Sequence, residues 1–146
     1  MSKIRPTFEE LEKMIEIIEN NKNNNFIFQS NINKEIITNY KFKSKHVIHI
    51  ANSINEFKKI MLESQNFKNE FDGYKNSIIF LWLGNIDSIS IDNFDAIKIF
   101  ADINLHNEFL NIVFITKNLF MHDFNQNFKA LSCRCKTFKL ENTELA

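Results

Sequence analysis

The sequence has little glycine and little proline, with two glycines and one proline among 146 residues. Most nucleotide-binding α/β proteins place a glycine-rich loop after their first strand, because successive backbone N–H groups must wrap around a phosphate. A chain so poor in glycine is therefore not expected to hold a phosphate in the usual way.

Cysteine is equally scarce, and the only two cysteines, Cys133 and Cys135, flank Arg134. A zinc site would need two further thiolates or imidazoles at a suitable spacing, and the sequence offers none. The prediction is two reduced thiols, no bound metal and no cofactor.

Net charge and long apolar segments are missing too. The 18 basic and 18 acidic residues cancel, so no overall field attracts the chain to DNA or to an anionic membrane. No stretch approaches the roughly 20 apolar residues of a spanning helix, and residues 1–10 lack the apolar segment of a signal peptide. We therefore expect a cytoplasmic protein that has no membrane partner and meets DNA only indirectly.

What the chain does have is a regular alternation of helix-like and strand-like apolar patterns. A capping box formed by Thr7 and Glu10 precedes apolar residues at helical spacing, which predicts an N-terminal helix. Short apolar runs predict five strands, within residues 26–28, 47–50, 77–83, 111–116 and 131–140. The intervening segments 32–40, 53–61, 92–100 and 123–129 are predicted to be helices or turns. Trp82 lies in the most apolar run and is assigned to the core.

This order predicts a single three-layer α/β domain over residues 1–146, with a five-stranded, mostly parallel sheet. Ligands of such sheets bind at the carboxyl ends of the strands. After the first strand, Lys34 is present without any glycine, and Glu35 stands where a metal-binding hydroxyl would be needed. Asn31, which tolerates left-handed backbone, and Lys34 are the candidates for anion contact in this degenerate phosphate loop.

The end of the third predicted strand, residues 80–87, resembles the AAA+ superfamily, in which four apolar residues precede Asp-Glu-x-Asp. Gly84 falls at the Mg²⁺-binding aspartate, Asn85 at the glutamate that activates water, and Asp87 at the trailing acidic residue. Glycine and an amide supply neither a carboxylate for the cation nor a group to activate water. The resemblance therefore implies an AAA+ core that does not hydrolyse ATP.

Two further segments are similar to AAA+ motifs. Thr116 or Asn118, at the end of the fourth predicted strand, would take the place of the polar sensor-1 residue. The run Cys133-Arg134-Cys135 is similar to the Ser-Arg-Cys motif of clamp-loader subunits, with Cys133 in place of the serine. The resemblance implies that Arg134 reaches ATP bound on a neighbouring subunit, a role that suits a planar, permanently charged donor.

From Thr7 to Leu140 the resemblance implies a strand order of 5-1-4-3-2. It also implies a non-catalytic interaction module, a subunit or regulator of a DNA-replication assembly whose partners are other protein subunits, among them AAA+ ATPases. The N-terminal domain of the delta-prime subunit of the bacterial clamp loader is the member that it resembles. Six residues follow Leu140, and we expect the helical lid of the family to be absent.

Two alternatives stay open. One is a flavodoxin-like or other doubly wound α/β protein that binds a small ligand or a partner at the switch point of its sheet. The other is a phage or mobile-element protein that regulates a host AAA+ protein. Flavodoxin-like sheets have the strand order 2-1-3-4-5, so the order of the strands distinguishes this interpretation from the AAA+-like one.

Overall fold

The computed structural model describes residues 8–40, 47–67, 77–84, 86–107, 110–117 and 125–140. Helices and strands alternate along these residues as predicted. The helices are α1 (Phe8–Asn20), α2 (Lys34–Asn39), α3 (Ile54–Phe67), α4 (Ile91–Asn107) and α5 (Gln126–Ser132), with a short 3-10 helix at Ile86–Ser88. The strands are β1 (Asn25–Gln29), β2 (Ile48–Ala51), β3 (Ile78–Trp82), β4 (Asn111–Thr116) and β5 (Lys136–Lys139).

Polar caps explain where four of the helices begin. Asn33, Ser53, Ser90 and Asn125 each precede a helix, and the side-chain oxygen of each accepts a hydrogen bond from the backbone N–H three residues further on. Such caps satisfy N–H groups that have no partner within the helix. The predicted cap at Thr7 lies outside the described residues.

The five strands form one sheet in the order β2-β3-β4-β1-β5, and every neighbouring pair is parallel. Read from the other edge, this is the predicted order 5-1-4-3-2, which is confirmed. The flavodoxin-like order 2-1-3-4-5 is not found. The predicted class, a parallel α/β sheet preceded by a helix, is confirmed as well.

Two separate apolar cores cover the two faces of the sheet. Side chains of β1 alternate between them, because successive residues of a strand point to opposite faces: Phe26 and Phe28 face one core and Ile27 faces the other. Helices α1 and α2 pack on the first core, with Leu11, Met14, Ile18 and Ile37. Helices α3, α4 and α5 pack on the second, with Phe57, Ile97, Phe100, Phe128 and Leu131.

This division of the helices follows from the direction of each connection. The chain runs from β1 through α2 toward β2 at one edge, whereas it runs from β2 to β3, β4 and β5 in the opposite direction. Crossovers between parallel strands are right-handed, so the first connection lies on the other face from the rest. The connections leaving β1 and β4, two adjacent strands, therefore diverge to opposite faces. The crevice between their carboxyl ends is the switch point of the sheet.

The structure corrects the start of the last strand and the placement of the cysteines, and it refines the placement of Trp82. The last strand does not begin at Leu131, because α5 extends to Ser132 and a turn follows before β5. Cys133 and Cys135 therefore lie in the turn and not on a strand. Trp82, the last residue of β3, is partly buried and packs at the margin of the first core. None of the described helices is long and apolar enough to cross a membrane.

Candidate functional site

A cavity of about 480 Å³ opens at the switch point of the sheet. The ends of three adjacent strands supply its described walls: Ser30 and Ile32 after β1, Trp82 and Gly84 at β3, and Ile115, Thr116 and Lys117 at β4. Cavities of a few hundred Å³ at this position are where open α/β sheets usually bind small molecules. This is the candidate functional site.

A second cavity, of about 260 Å³, lies beside the first toward β2. Its described walls are Asn33, Lys34, Ala51, Asn52 and Trp82. Trp82 is therefore common to both cavities. The Trp82 Nε1–H donates a hydrogen bond of 2.8 Å to the carbonyl oxygen of Ile32, which fixes the ring across the segment that follows β1.

The segment after β1, where a phosphate loop would lie, is held by hydrogen bonds within the chain. The Ser30 hydroxyl donates to a carboxylate oxygen of Glu10, which is buried on α1. The same hydroxyl accepts the backbone N–H of Ile32 at 3.1 Å, and the backbone N–H of Ser30 donates to Thr116. These contacts use two of the backbone N–H groups that a phosphate-binding loop would direct at its ligand.

The two residues predicted for this degenerate loop are not brought together at the larger cavity. Lys34 begins α2, and its ammonium group donates to the side-chain oxygen of Asn52 across the smaller cavity. Asn31 is half-exposed and lies between β1 and α2. The predicted anion contact by Asn31 and Lys34 stays a prediction.

The end of β3 places Gly84 at the larger cavity but directs Asp87 elsewhere. Gly84 adopts a left-handed backbone with φ of +63° and has open space where a Cβ would stand. Asp87 lies in the 3-10 helix, and its carboxylate accepts a hydrogen bond of 3.2 Å from the Asn125 side chain. Asp87 thus faces the residue that caps α5. Asn85 lies outside the described residues.

Thr116 and Lys117 bring the end of β4 to the same cavity. Thr116 is buried and pairs with Gln29 in the register of β4 with β1, whereas Lys117 is exposed. Thr116 therefore lines the cavity, and its sensor-1-like role stays a prediction. Asn118, the other residue predicted for this position, lies outside the described residues.

Arg134 lies at the opposite end of the sheet from both cavities. Its Nε–H donates to Asp102 Oδ1 at 2.8 Å, and one terminal N–H donates to the carbonyl oxygen of Ala130 at 2.6 Å. The Arg134 side chain is nevertheless 30% exposed and that of Asp102 is 46% exposed. The guanidinium is consequently held in one orientation while part of it still faces solvent.

A network of buried asparagines fastens the backbone next to Arg134. The Asn25 side-chain amide, at the beginning of β1, donates to the carbonyl oxygens of Ala101 and Arg134, at 2.8 and 3.0 Å. Asn104 of α4 donates to Asn25 Oδ1 at 3.0 Å and to the Leu110 carbonyl oxygen at 2.9 Å.

Sequence reasoning did not find these asparagines. Asparagine usually signals a turn, and only the pairing of distant segments shows that these two are buried.

The two thiols beside Arg134 differ in their surroundings. Cys133 is exposed, whereas Cys135 is partly buried and packs against the second core. Desolvation raises the pKa of Cys135, and the nearby Arg134 opposes this only in part. A protonated thiol is a poor nucleophile and a poor metal ligand. Across the described part of the chain, no three histidine, cysteine or acidic side chains form a group that could hold a metal ion.

The chain was compared with models of protein families, with curated proteins and with solved structures, and none of them matches it.

Proposed function

We propose that this chain is a non-catalytic, AAA+-like interaction module that serves as a subunit or regulator of a clamp-loader type assembly. The observation that carries the proposal is the placement of Arg134. The residue is fixed by Asp102 and Ala130 at the end of the sheet remote from its own cavity. A guanidinium held there, and still partly exposed, is suited to an anion on another molecule.

The composition of the larger cavity supports the non-catalytic part of the proposal. Phosphoryl transfer from ATP requires a carboxylate to hold Mg²⁺ and a group to orient water. None of the described residues that line the cavity is acidic. Asp87, the nearest candidate in the sequence, instead contacts Asn125. Ser30, which could contact a metal or phosphate, is hydrogen-bonded to Glu10.

The test is the ATPase rate of clamp-loader ATPase subunits encoded in the same genome, measured with and without this chain. We expect the wild-type chain to accelerate turnover and Arg134→Ala to reduce the acceleration by about tenfold or more, because arginines supplied in trans contribute strongly to phosphoryl transfer. The chain alone should hydrolyse no ATP above background.

Asp102→Ala is the matched control, because it removes the same ion pair and leaves the arginine. We expect this variant to lose clearly less of the acceleration than Arg134→Ala, because the Ala130 carbonyl still holds the guanidinium. Equal losses in both variants would assign Arg134 a structural role only, and no loss in Arg134→Ala would remove the trans-acting role. Inhibition of the same ATPases by the wild-type chain would instead favour a regulator of phage or mobile-element origin.

A further inference from the structure

The indole of Trp82 separates two cavities, and its position is fixed from two sides. Its N–H is hydrogen-bonded to Ile32, and its ring lies beside Phe80, with centroids 6.2 Å apart and planes inclined by 30°. Trp82 nevertheless remains half-exposed at the end of β3. An aromatic face that is rigid and accessible is a surface on which another flat ring can stack at low entropic cost.

The rest of the larger cavity is apolar at its base and cationic at its rim. Ile32 and Ile115 line it and are almost fully buried. Lys117 is exposed and supplies a positive charge. The described walls of both cavities include lysine but no acidic residue. The buried Glu10 carboxylate is already hydrogen-bonded to Ser30 of the wall, so an occupant gains from a flat apolar body and from one negative charge placed at Lys117.

We propose that the switch-point cavity binds a small aromatic carboxylate. The ring of the ligand lies against Trp82 and the buried isoleucines, and the carboxylate pairs with Lys117. Thr116, at the end of β4, lines the same cavity. This binding activity goes beyond the protein contact assigned to Arg134, which lies at the other end of the sheet.

The same features disfavour a nucleoside triphosphate as the occupant. A triphosphate carries several negative charges and requires a set of backbone N–H groups and a metal ion. The described walls of the larger cavity provide one lysine, and the N–H groups of Ser30 and Ile32 are already bonded within the chain. The single negative charge of a carboxylate ligand instead equals the single positive charge of Lys117.

Trp82 is the only tryptophan of the chain, so its indole N–H gives one proton–nitrogen resonance that reports directly on the site. The experiment is a titration of the labelled full chain with 2-naphthoate. We expect this resonance to shift in a saturable manner, with a dissociation constant of about 1 mM or tighter for a ligand of this size. Acetate, which lacks the ring, and 2-naphthylmethanol, which lacks the charge, should each bind at least about fivefold more weakly.

Two matched variants test the charge. Lys117→Met should weaken 2-naphthoate about tenfold, because the ion pair at a partly apolar site is lost. Lys136→Met removes an exposed lysine at the beginning of β5, remote from the cavity, and should leave the affinity within about twofold. The backbone resonances of both variants show whether the fold is retained.

Several results would overturn the proposal. They are an indole resonance that 2-naphthoate does not shift, equal affinity for 2-naphthylmethanol, and an unchanged affinity in Lys117→Met. Tighter binding of ATP with Mg²⁺ that depends on Lys117 would also overturn it, because the cavity would then be a nucleotide site. None of these results depends on a partner ATPase, so they are independent of the test of Arg134.

Discussion

The two ends of the sheet satisfy their polar groups in different ways. At the amino end, Asn25, Asn104 and Asn111 are at most 1% exposed, and their amides join β1, α4, β4 and the turn before β5. At the carboxyl end, two cavities open beyond the ends of the strands, and the partly buried Trp82 lines both of them.

The rigid polar network and the open cavities therefore lie at opposite ends of the sheet. Buried amides are costly unless every polar atom has a partner, and a satisfied network holds one arrangement. Residues around a cavity make fewer packing contacts, but the cavity leaves room for an occupant. The amino end therefore orients Arg134, while the carboxyl end holds an open cavity.

The largest loss of stability is expected from a substitution at the amino end of the sheet. Asn104→Ala removes the partners of Asn25 Oδ1 and of both backbone groups of Leu110. Unpaired buried groups cost about 1–3 kcal/mol each, so we expect the free energy of unfolding to fall by about 3 kcal/mol in urea denaturation. Asn39→Ala, at an exposed position of α2, is the control. Equal effects of the two substitutions would show that the amino end is not specially stabilised.

A smaller loss of stability is expected from substitutions of Trp82 at the carboxyl end of the sheet. Trp82→Ala loses the hydrogen bond to Ile32 and the contact with Phe80, but the side chain is only half-buried. We expect a loss of about 2 kcal/mol, against about 1 kcal/mol for Trp82→Phe, which keeps one aromatic ring but loses the hydrogen bond and part of the indole. A loss as large as that of Asn104→Ala would mean that Trp82 is a core residue after all.

The smallest loss of stability is expected from substitutions of Gly84, because they change only the conformational energy of the backbone. An added Cβ meets no atom within 4 Å, yet the left-handed φ of +63° is unfavourable for a side chain. Gly84→Ala should cost about 1 kcal/mol, and Gly84→Asn should cost less, because asparagine tolerates this conformation. If both substitutions leave the midpoint of denaturation unchanged, the left-handed backbone is not maintained in solution.

Much of the fold could be predicted because the signals are local. Residues 77–83 are almost continuously apolar, and a strand buried on both faces was expected there and is found at Ile78–Trp82. The sequence places the start of the last strand too early because Leu131, Cys133 and Cys135 alternate with polar residues, a two-residue period that extends from the end of α5 into the turn. The cap at Asn125 and the i to i+4 backbone hydrogen bonds show that α5 extends to Ser132.

The candidate site was predictable only in its location. The order of elements directs attention to the carboxyl ends of the strands, and Gly84 and Thr116 do line the cavity there. The apolar run 78–83 predicts a core position for Trp82, because hydropathy does not show that a strand ends at a cavity. The bonds of Ser30 to Glu10 and of Asn25 to Arg134 join segments far apart in sequence, and no local pattern encodes them.

The position of β1 between β4 and β5 has a consequence for folding during synthesis. Asn25 pairs with Ile112, and the other neighbour of β1 is β5, the last of the described strands. Phe26 and Phe28 therefore have no strand beside them until most of the chain has left the ribosome. Contacts of such large sequence separation slow folding and leave apolar segments unprotected. We expect fragments that end before β4 to aggregate or to recruit chaperones.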